Sequence, residues 1–368
     1  MNARILCLNP GSTSTKLAVF EGDAPRFSVE LRHPKAELSA CGGVGAQLPL
    51  RLAAIEQALA DAGFAAAPGA YAAVSGRGGL LRPLPGGVYA VDAAMLAELA
   101  AGAHGEHPCN LGAPLALRFA AACGCPAFVV DPPVTDELRD IARMTGLPRI
   151  RRRSVFHALS QRMAGRLAAR HLGLRYEDAT FVVAHLGGGV SVGAHDRGRV
   201  VDVTNGVDGE GPMSAERAGA LPALVLVEMV RAGDDPVRLR KEILTSGGMY
   251  AHTGTNDLRE VERRFHEGDA ACGAVIQAMA YGVAKFVGAM AAALQEDASG
   301  GPAAIVLTGG MSRSPLLVEE ISRRVRFLAP VLALPQVDEM LALATGARLA
   351  LEGREPVRSY AALAGRQS

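Results

Sequence analysis

The chain has no tryptophan and few other aromatics, and neither sign of charge prevails. Aromatics at 4% leave few surfaces on which single-stranded bases could stack. Lys+Arg 38 against Asp+Glu 37 gives a net charge of +1, without the basic surplus that nucleic-acid binding calls for, so no nucleic-acid partner is expected. Cysteines are sparse and scattered. Among Cys7, Cys41, Cys109, Cys123, Cys125 and Cys272 the one close pair is Cys123-Gly124-Cys125, a spacing that suits neither a redox CxxC nor a zinc half-site. Reduced, mostly buried thiols in a cytoplasmic protein are expected. A long uninterrupted apolar run is also missing. Residues 5–8 are too short for the core of a signal peptide. The most apolar long stretch, residues 274–294, is broken by Gln277 and Lys285, which favours a buried helix over a membrane span, and no membrane partner is expected.

The 368 residues are enough for two or three domains of roughly 150 residues each, and 49% hydrophobic against 20% charged residues supports well-filled cores. Residues 3–8 read as a strand, 9–14 as a polar turn, 16–20 as a strand, 22–25 as a turn and 27–31 as a third strand. The pattern returns at 180–184, 185–189, 190–194, 196–198 and 199–203, close to half the chain away. A β-turn-β-turn-β unit opening each half predicts duplication. Helical patterns at 52–62, 95–101, 111–122, 154–171 (capped by Ser154) and 315–325 alternate with buried strands at 70–75, 127–130 and 303–307. The fold class expected is α/β, with two mixed sheets flanked by helices. No Pro/Ser linker separates the halves, so the domains are expected to meet closely over a cleft.

Three turns carry chemistry. Asn9-Pro10-Gly11-Ser12-Thr13-Ser14-Thr15-Lys16 gathers hydroxyls, backbone N–H groups and one cation around a tight turn, a nest suited to phosphate oxygens. It is not GxxxxGK[ST], and a strand follows it where a P-loop or dinucleotide fold would start a helix. His185-Leu186-Gly187-Gly188-Gly189 occupies the same place in the second repeat, where glycines let backbone approach a polyphosphate. Thr308-Gly309-Gly310 follows a buried strand and precedes a helix, a usual place for nucleotide contacts.

These turns, with GRGG at 76–79, VVDPP at 129–133, RRRSVFHALSQ at 151–161, DGEGPMSAERAG at 208–219 and LTGGM at 307–311, resemble the butyrate kinases of the acetokinase family. That family is similar to acetate kinases and shares a superfamily with sugar kinases, actin and heat-shock ATPases. The resemblance runs in order over nearly the whole chain. It implies the duplicated actin-like (ribonuclease H-like) ATPase fold, with an N-terminal domain of residues 1–134 plus a returning 341–368 and a nucleotide-binding domain of residues 135–340. It also implies transfer of the ATP γ-phosphate to a short-chain carboxylic acid, giving an acyl phosphate and ADP, with Mg²⁺ and a homodimer or larger homo-oligomer.

By the same resemblance Arg77 holds the substrate carboxylate, Arg217 and His157 stabilise the transferring phosphoryl group, and Asp131 lies near the metal and reacting groups. Glu339 is the magnesium-associated glutamate, with Asn9 and Asp131 beside it. Asn9, Ser12, Ser14 and Lys16 form the first phosphate turn. His185, Gly187, Gly188, Gly189, Asp257, Arg259, Gly309 and Gly310 contact the nucleotide. Gly78, Gly79, His107 and Phe156 line the acid pocket with Arg77. Acetate kinases carry two bulky β-branched residues after that arginine, so Gly78 and Gly79 are expected to leave room for a longer acid. Acetate or propionate as acceptor, and a non-catalytic nucleotide sensor of the same fold, stand as alternatives.

Overall fold

Ile5, Leu6, Cys7 and Leu8 follow one another in strand β1 (Arg4–Pro10), and none is more than 1% exposed. An apolar run without alternation marks a strand covered on both faces, and β1 is central to its sheet. It pairs antiparallel with β2 (Ser14–Glu21), which pairs antiparallel with β3 (Ala24–Arg32), and on its other side it runs parallel to β4 (Ala73–Arg77). Strand β5 (Val88–Ala90) lies antiparallel to β6 (Ala127–Val130), and β6 runs parallel to β4. In the second half, β7 (Thr180–Leu186), β8 (Val190–Asp196) and β9 (Arg199–Val203) form an antiparallel meander, and β10 (Ala304–Thr308) and β11 (Val331–Leu334) add in parallel on the β7 side. A last strand, β12 (Val357–Ser359), pairs with β5.

The computed structural model describes residues 3–294 and 301–364. The chain divides into unit 1, Met1–Thr135 with Asp338–Ser368, and unit 2, Asp136–Val337. The sheet orders are β12-β5-β6-β4-β1-β2-β3 and β11-β10-β7-β8-β9, so the order β6-β4-β1-β2-β3 in unit 1 is repeated strand for strand in unit 2. The copy extends to a detail. Each meander has a register shift between its second and third strands, at Val19/Phe20 and at Ala194/His195, one residue before the second strand ends.

The chain returns to unit 1 at Asp338, earlier than the residue 341 expected from sequence. Asp338 caps the helix Glu339–Leu351 by accepting from the Met340 N–H, and that helix packs on β1, β4 and β6. Its Gly346 lies so close to Val130 that an added Cβ would be 2.4 Å from a valine methyl. Glu339 therefore belongs to unit 1.

In unit 2 the helix Ala270–Ala293 buries Cys272, Val275, Ile276, Met279, Ala280, Val283 and Val287 in the core against β7 and β8. Length and apolarity alone would let it cross a membrane. Its packed face accounts for that apolarity, while Lys285 lies on the outer side over the exposed Tyr281 ring. The helix expected from Ser154 starts instead at Ala158, with His157 as its N-cap in a non-helical conformation. Ser154 is buried upstream of the helix start, which has no side-chain cap.

Candidate functional site

Each unit gathers part of the expected constellation. In unit 1, Arg77 ends β4, and backbone packing holds that end in place. A Cβ on Gly76 would sit 2.1 Å from the Gly112 carbonyl oxygen, and one on Gly112 would sit 2.0 Å from that of Arg77. Only glycine at both positions allows the approach. Arg77 forms an ion pair with Oε1 of Glu339, and Asn9 Nδ2 donates to Oε2 of the same carboxylate at 2.7 Å. Three residues widely separated in sequence thus meet at the C-terminal ends of β1 and β4. Lys16 is the direct cross-strand partner of Asn9, which places it on the same face of the sheet. His107 caps the short turn Pro108–Leu111, with Nδ1 accepting from the Cys109 N–H. Burial, reinforced by the charges of Arg77 and Arg51, holds its pKa below the usual histidine range.

Asp131 follows β6, one position past Val130, the ladder partner of Arg77. It is 2% exposed, and its φ of 38° is a left-handed conformation that costs a non-glycine residue about 1–3 kcal/mol, of a kind that clusters at functional sites. One carboxylate oxygen accepts from the Gly87 N–H at 2.8 Å.

The turn after β1 is shorter than the sequence indicates, because Asn9 and Pro10 remain in β1 and Ser14 already belongs to β2. Ser12 is exposed in the turn, whereas the Ser14 hydroxyl, expected among the phosphate contacts, donates sideways to Glu30 at 2.7 Å. Beneath the turn lies a residue that the motif reading missed. Arg51, on the helix Leu48–Asp61, is 0% exposed and has no carboxylate partner among the described residues. It donates to the Ser14 carbonyl and to Thr15 Oγ1, both at 2.9 Å, to the Ser12 carbonyl and to Gln47. A legible signal was present: Arg51 sits at helical spacing with the buried Ile55 and Leu59, a cation on an apolar stripe.

Gly78 and Gly79 do not open space for a longer acid. A Cβ at Gly78 would meet Pro132 at 2.5 Å and Val129 at 2.8 Å, and one at Gly79 would meet Asn110 and Leu99 at 2.6 Å. The volume that side chains would take is filled by the protein's own atoms.

In unit 2 the glycine turn after β7 meets Arg217. A Cβ on Gly189 would lie 2.7 Å from Arg217 Nη1, so the guanidinium rests directly on the turn. Ser214 Oγ donates to the Gly188 carbonyl at 2.7 Å and accepts from the Arg217 N–H at 3.0 Å, locking the two segments together. The Arg217 guanidinium has no ion-pair or hydrogen-bond partner among the described residues, and burial lowers its pKa, with Glu216 opposing. An unpaired, half-buried guanidinium beside a glycine turn is prepared for an anion. His157 stacks on His185, with ring centroids 4.1 Å apart. The arginine run acts as a clamp: Arg152 binds Asp202 and Glu210 and Arg153 binds Asp208, which holds the loop leading to Arg217. Phe156, expected in the acid pocket, packs instead in an apolar cluster with Leu138, Val200 and Val203 of unit 2.

A cavity of about 690 Å³ in unit 2 is lined by Gly187, Gly188, Asp257, Arg259 and Gly310, and also by Glu216, Asn256 and Arg313, which the motif reading did not assign. Its size suits a nucleoside. Gly309 adopts φ 88° against the Leu186 carbonyl, and Gly310 faces open space. Asp257 and Arg259 bind each other at 2.7 Å, and Asp257 caps the helix Leu258–His266, so their charges are already matched at the rim. Among the described residues no group of three or more His, Cys, Asp or Glu side chains could cage a metal. The oxygen donors Asn9, Glu339 and Asp131 do fit Mg²⁺, which takes one or two carboxylates and draws its other ligands from phosphate and water.

Residues 144–333 match the model of the acetokinase family. The chain is 50% identical over 366 residues to a probable butyrate kinase of Oleidesulfovibrio alaskensis, covering 97% of this chain and 98% of that protein. It is 43% identical to butyrate kinase 2 of Clostridium acetobutylicum, covering 98% and 100%. Among solved structures, the acetate kinase of Porphyromonas gingivalis superposes with a TM-score of 0.73 at 21% identity, over 95% of this chain and all of that one, which identifies the fold.

Proposed function

This chain belongs to the acetokinase family, and on that premise we propose that it is a butyrate kinase, transferring the ATP γ-phosphate reversibly to the carboxylate of butyrate. The acid is taken from the butyrate kinases that match the chain almost end to end. The observation that carries the reaction class is the unpartnered Arg217 guanidinium resting on the Gly187–Gly189 turn, a cation held where phosphoryl oxygens would be gripped.

A carboxylate is already an anionic nucleophile, so the reaction needs no general base. Its oxygen attacks the γ-phosphorus, the bond from that phosphorus to the bridging β-γ oxygen breaks, ADP leaves with the electron pair, and no proton changes hands. The protein's task is to bring two anions together and stabilise charge on the group in flight. Arg77 offers the acid a planar two-pronged donor, a role the Glu339 carboxylate now occupies. Arg217 and His157 donate to the transferring group, the Gly187–Gly189 turn and the Asn9–Lys16 hairpin hold phosphates, and the unit 2 cavity takes the nucleoside. Asn9, Asp131 and Glu339 would hold Mg²⁺, which neutralises polyphosphate charge when bound. We place the enzyme in the cytoplasm as a homo-oligomer.

The test is a hydroxamate trap for acyl phosphate with ATP, Mg²⁺ and acids from acetate to valerate. Butyrate should give the highest kcat/KM. A clear win for acetate would move the protein to the acetate kinases, and no product with any acid would leave it a nucleotide sensor.

A further inference from the structure

A line of buried polar groups runs away from His157 through unit 2, and nothing in the reaction described above uses it. His157 Nδ1 lies 2.9 Å from Ser191 Oγ on β8. Gln161, one turn along the helix Ala158–His171 and 0% exposed, places Nε2 2.8 Å from that hydroxyl and 3.0 Å from the Ser191 carbonyl. Its Oε1 lies 3.0 Å from His195 Nε2, and His195 Nδ1 lies 2.8 Å from the Tyr176 hydroxyl.

The direction of every bond follows from one end. A backbone carbonyl only accepts, so the Gln161 group facing Ser191 O is the amide nitrogen, and its two hydrogens go to that carbonyl and to Ser191 Oγ. The amide oxygen then faces His195 Nε2, which must carry a hydrogen. Burial, with the charges of Arg162 and Arg166, pushes the His195 pKa down to about 3, so this ring is neutral, Nδ1 has a lone pair, and the Tyr176 hydroxyl donates to it. Ser191 Oγ has two lone pairs, of which Gln161 takes one, and among the described residues His157 Nδ1 is the acceptor for its own hydrogen; were Nδ1–H to donate instead, that buried hydroxyl hydrogen would be left without a partner. His157 Nδ1 is thereby fixed as an acceptor, and the neutral ring carries its hydrogen on Nε2. Stacking on His185 fixes the ring plane.

We propose that Ser191, Gln161, His195 and Tyr176 are positioning residues that hold His157 as the neutral Nε2–H tautomer, so that Nε2 is always ready to donate to the phosphoryl group. This rests on the reading of His157 as a phosphoryl donor. A histidine free to exchange tautomers would present a lone pair to the anion part of the time. The chain removes that state before substrate arrives, which is preorganisation of the kind that dominates electrostatic catalysis.

The experiment is two-bond proton–nitrogen NMR on the full-length protein labelled with ¹⁵N-histidine, with the His157 signals identified by their loss in His157→Gln. Protonated and unprotonated ring nitrogens resonate far apart, so the wild-type spectrum near pH 7.5 should show Nδ1 unprotonated and Nε2 protonated. Ser191→Ala should blur that signature and lower kcat roughly tenfold with the KM for ATP within about twofold, and Ser191→Thr, which keeps the hydroxyl, should restore both. A wild-type His157 protonated at Nδ1, or a folded Ser191→Ala protein with an unchanged His157 spectrum, would overturn the proposal. The underlying reading fails separately: if His157→Ala kept full kcat while the wild-type ring showed the Nε2–H form, His157 would not be the donor and the tautomer assignment would survive.

Discussion

Arg51 and Arg217 are both guanidinium groups without a carboxylate partner among the described residues, and the difference between them is what each meets instead. Arg51 is enclosed by the carbonyls and hydroxyl of the Ser12–Thr15 segment and by Gln47, so its work is done in the resting protein. Arg51→Met should cost about 3 kcal/mol in denaturant unfolding, because several buried acceptors lose their donor at once. Arg217 lies against the backbone of Gly189 and Gly206 and has no such hydrogen-bonding cage among the described residues, which suits the proposed role of meeting an anion. Arg217→Ala should lower kcat roughly 10²–10³-fold while ATP affinity, read by titration, changes by less than about threefold. Loss of ATP binding with turnover of bound nucleotide intact would contradict that role. His195 makes a pH prediction. Its folded pKa, about 3, lies below the unfolded value near 6.5, so between those values the unfolded chain binds more protons and stability rises with pH. The contribution is complete above about pH 6.5 and is lost as the pH falls toward 3. Between pH 7 and pH 5 the wild type should lose about 2 kcal/mol more unfolding free energy than His195→Gln. Equal losses would show that His195 is not held neutral.

Strand β4 and the segment after it show how elements position the site. Gly76 and Gly112 let a strand and a helix start touch backbone to backbone, which sets where Arg77 ends, and Gly78 and Gly79 continue that close packing against Pro132, Val129, Asn110 and Leu99. Their glycines serve assembly, and the room for a longer acid is not theirs to make. Gly79→Val should therefore lower Tm by several degrees, through the roughly 1–3 kcal/mol cost of overpacking, before any change in acid preference can be read. A stable Gly79→Val enzyme shifted toward acetate would restore the pocket role. The helix Ala270–Ala293 illustrates the opposite case: its apolarity is spent on the unit 2 core against β7 and β8, which leaves nothing for the site to explain.

Taken whole, the chain is one ladder used twice, with the same strand order, the same parallel and antiparallel pairings and the same register shift in both copies. The copies have diverged at their first hairpin turn. One carries hydroxyls with a buried arginine beneath, the other carries glycines with an arginine laid on top. The first gathers Asn9, Arg77 and Glu339 in unit 1, the groups proposed to meet the acid and the metal, and the second gathers Arg217, His157 and the cavity in unit 2, proposed to meet the phosphoryl group and the nucleoside. Apolar recognition of an acid chain is shallow, since one methylene is worth about 1–3 kcal/mol. The kcat/KM series should accordingly peak at C4 with propionate and valerate within roughly 10–100-fold, and a cutoff of many thousandfold on either side would mean that polar groups read the acid's length.

The duplication and the strand order of each meander were legible in the amino-acid sequence, because short-range patterns of turn residues and apolar runs encode local structure directly, whereas Arg77 and Arg217 stood out only through the family likeness of the motifs around them. The meeting of Asn9, Arg77 and Glu339 was visible only as a family likeness, the burial of Arg51 showed only as a cation on an apolar helical stripe, and the filled space at Gly78 and Gly79, the sideways turn of Ser14 and the packing of Phe156 were not visible at all. Each of these depends on which atoms the fold brings to a side chain from distant segments, and close packing settles that only once the whole unit has formed.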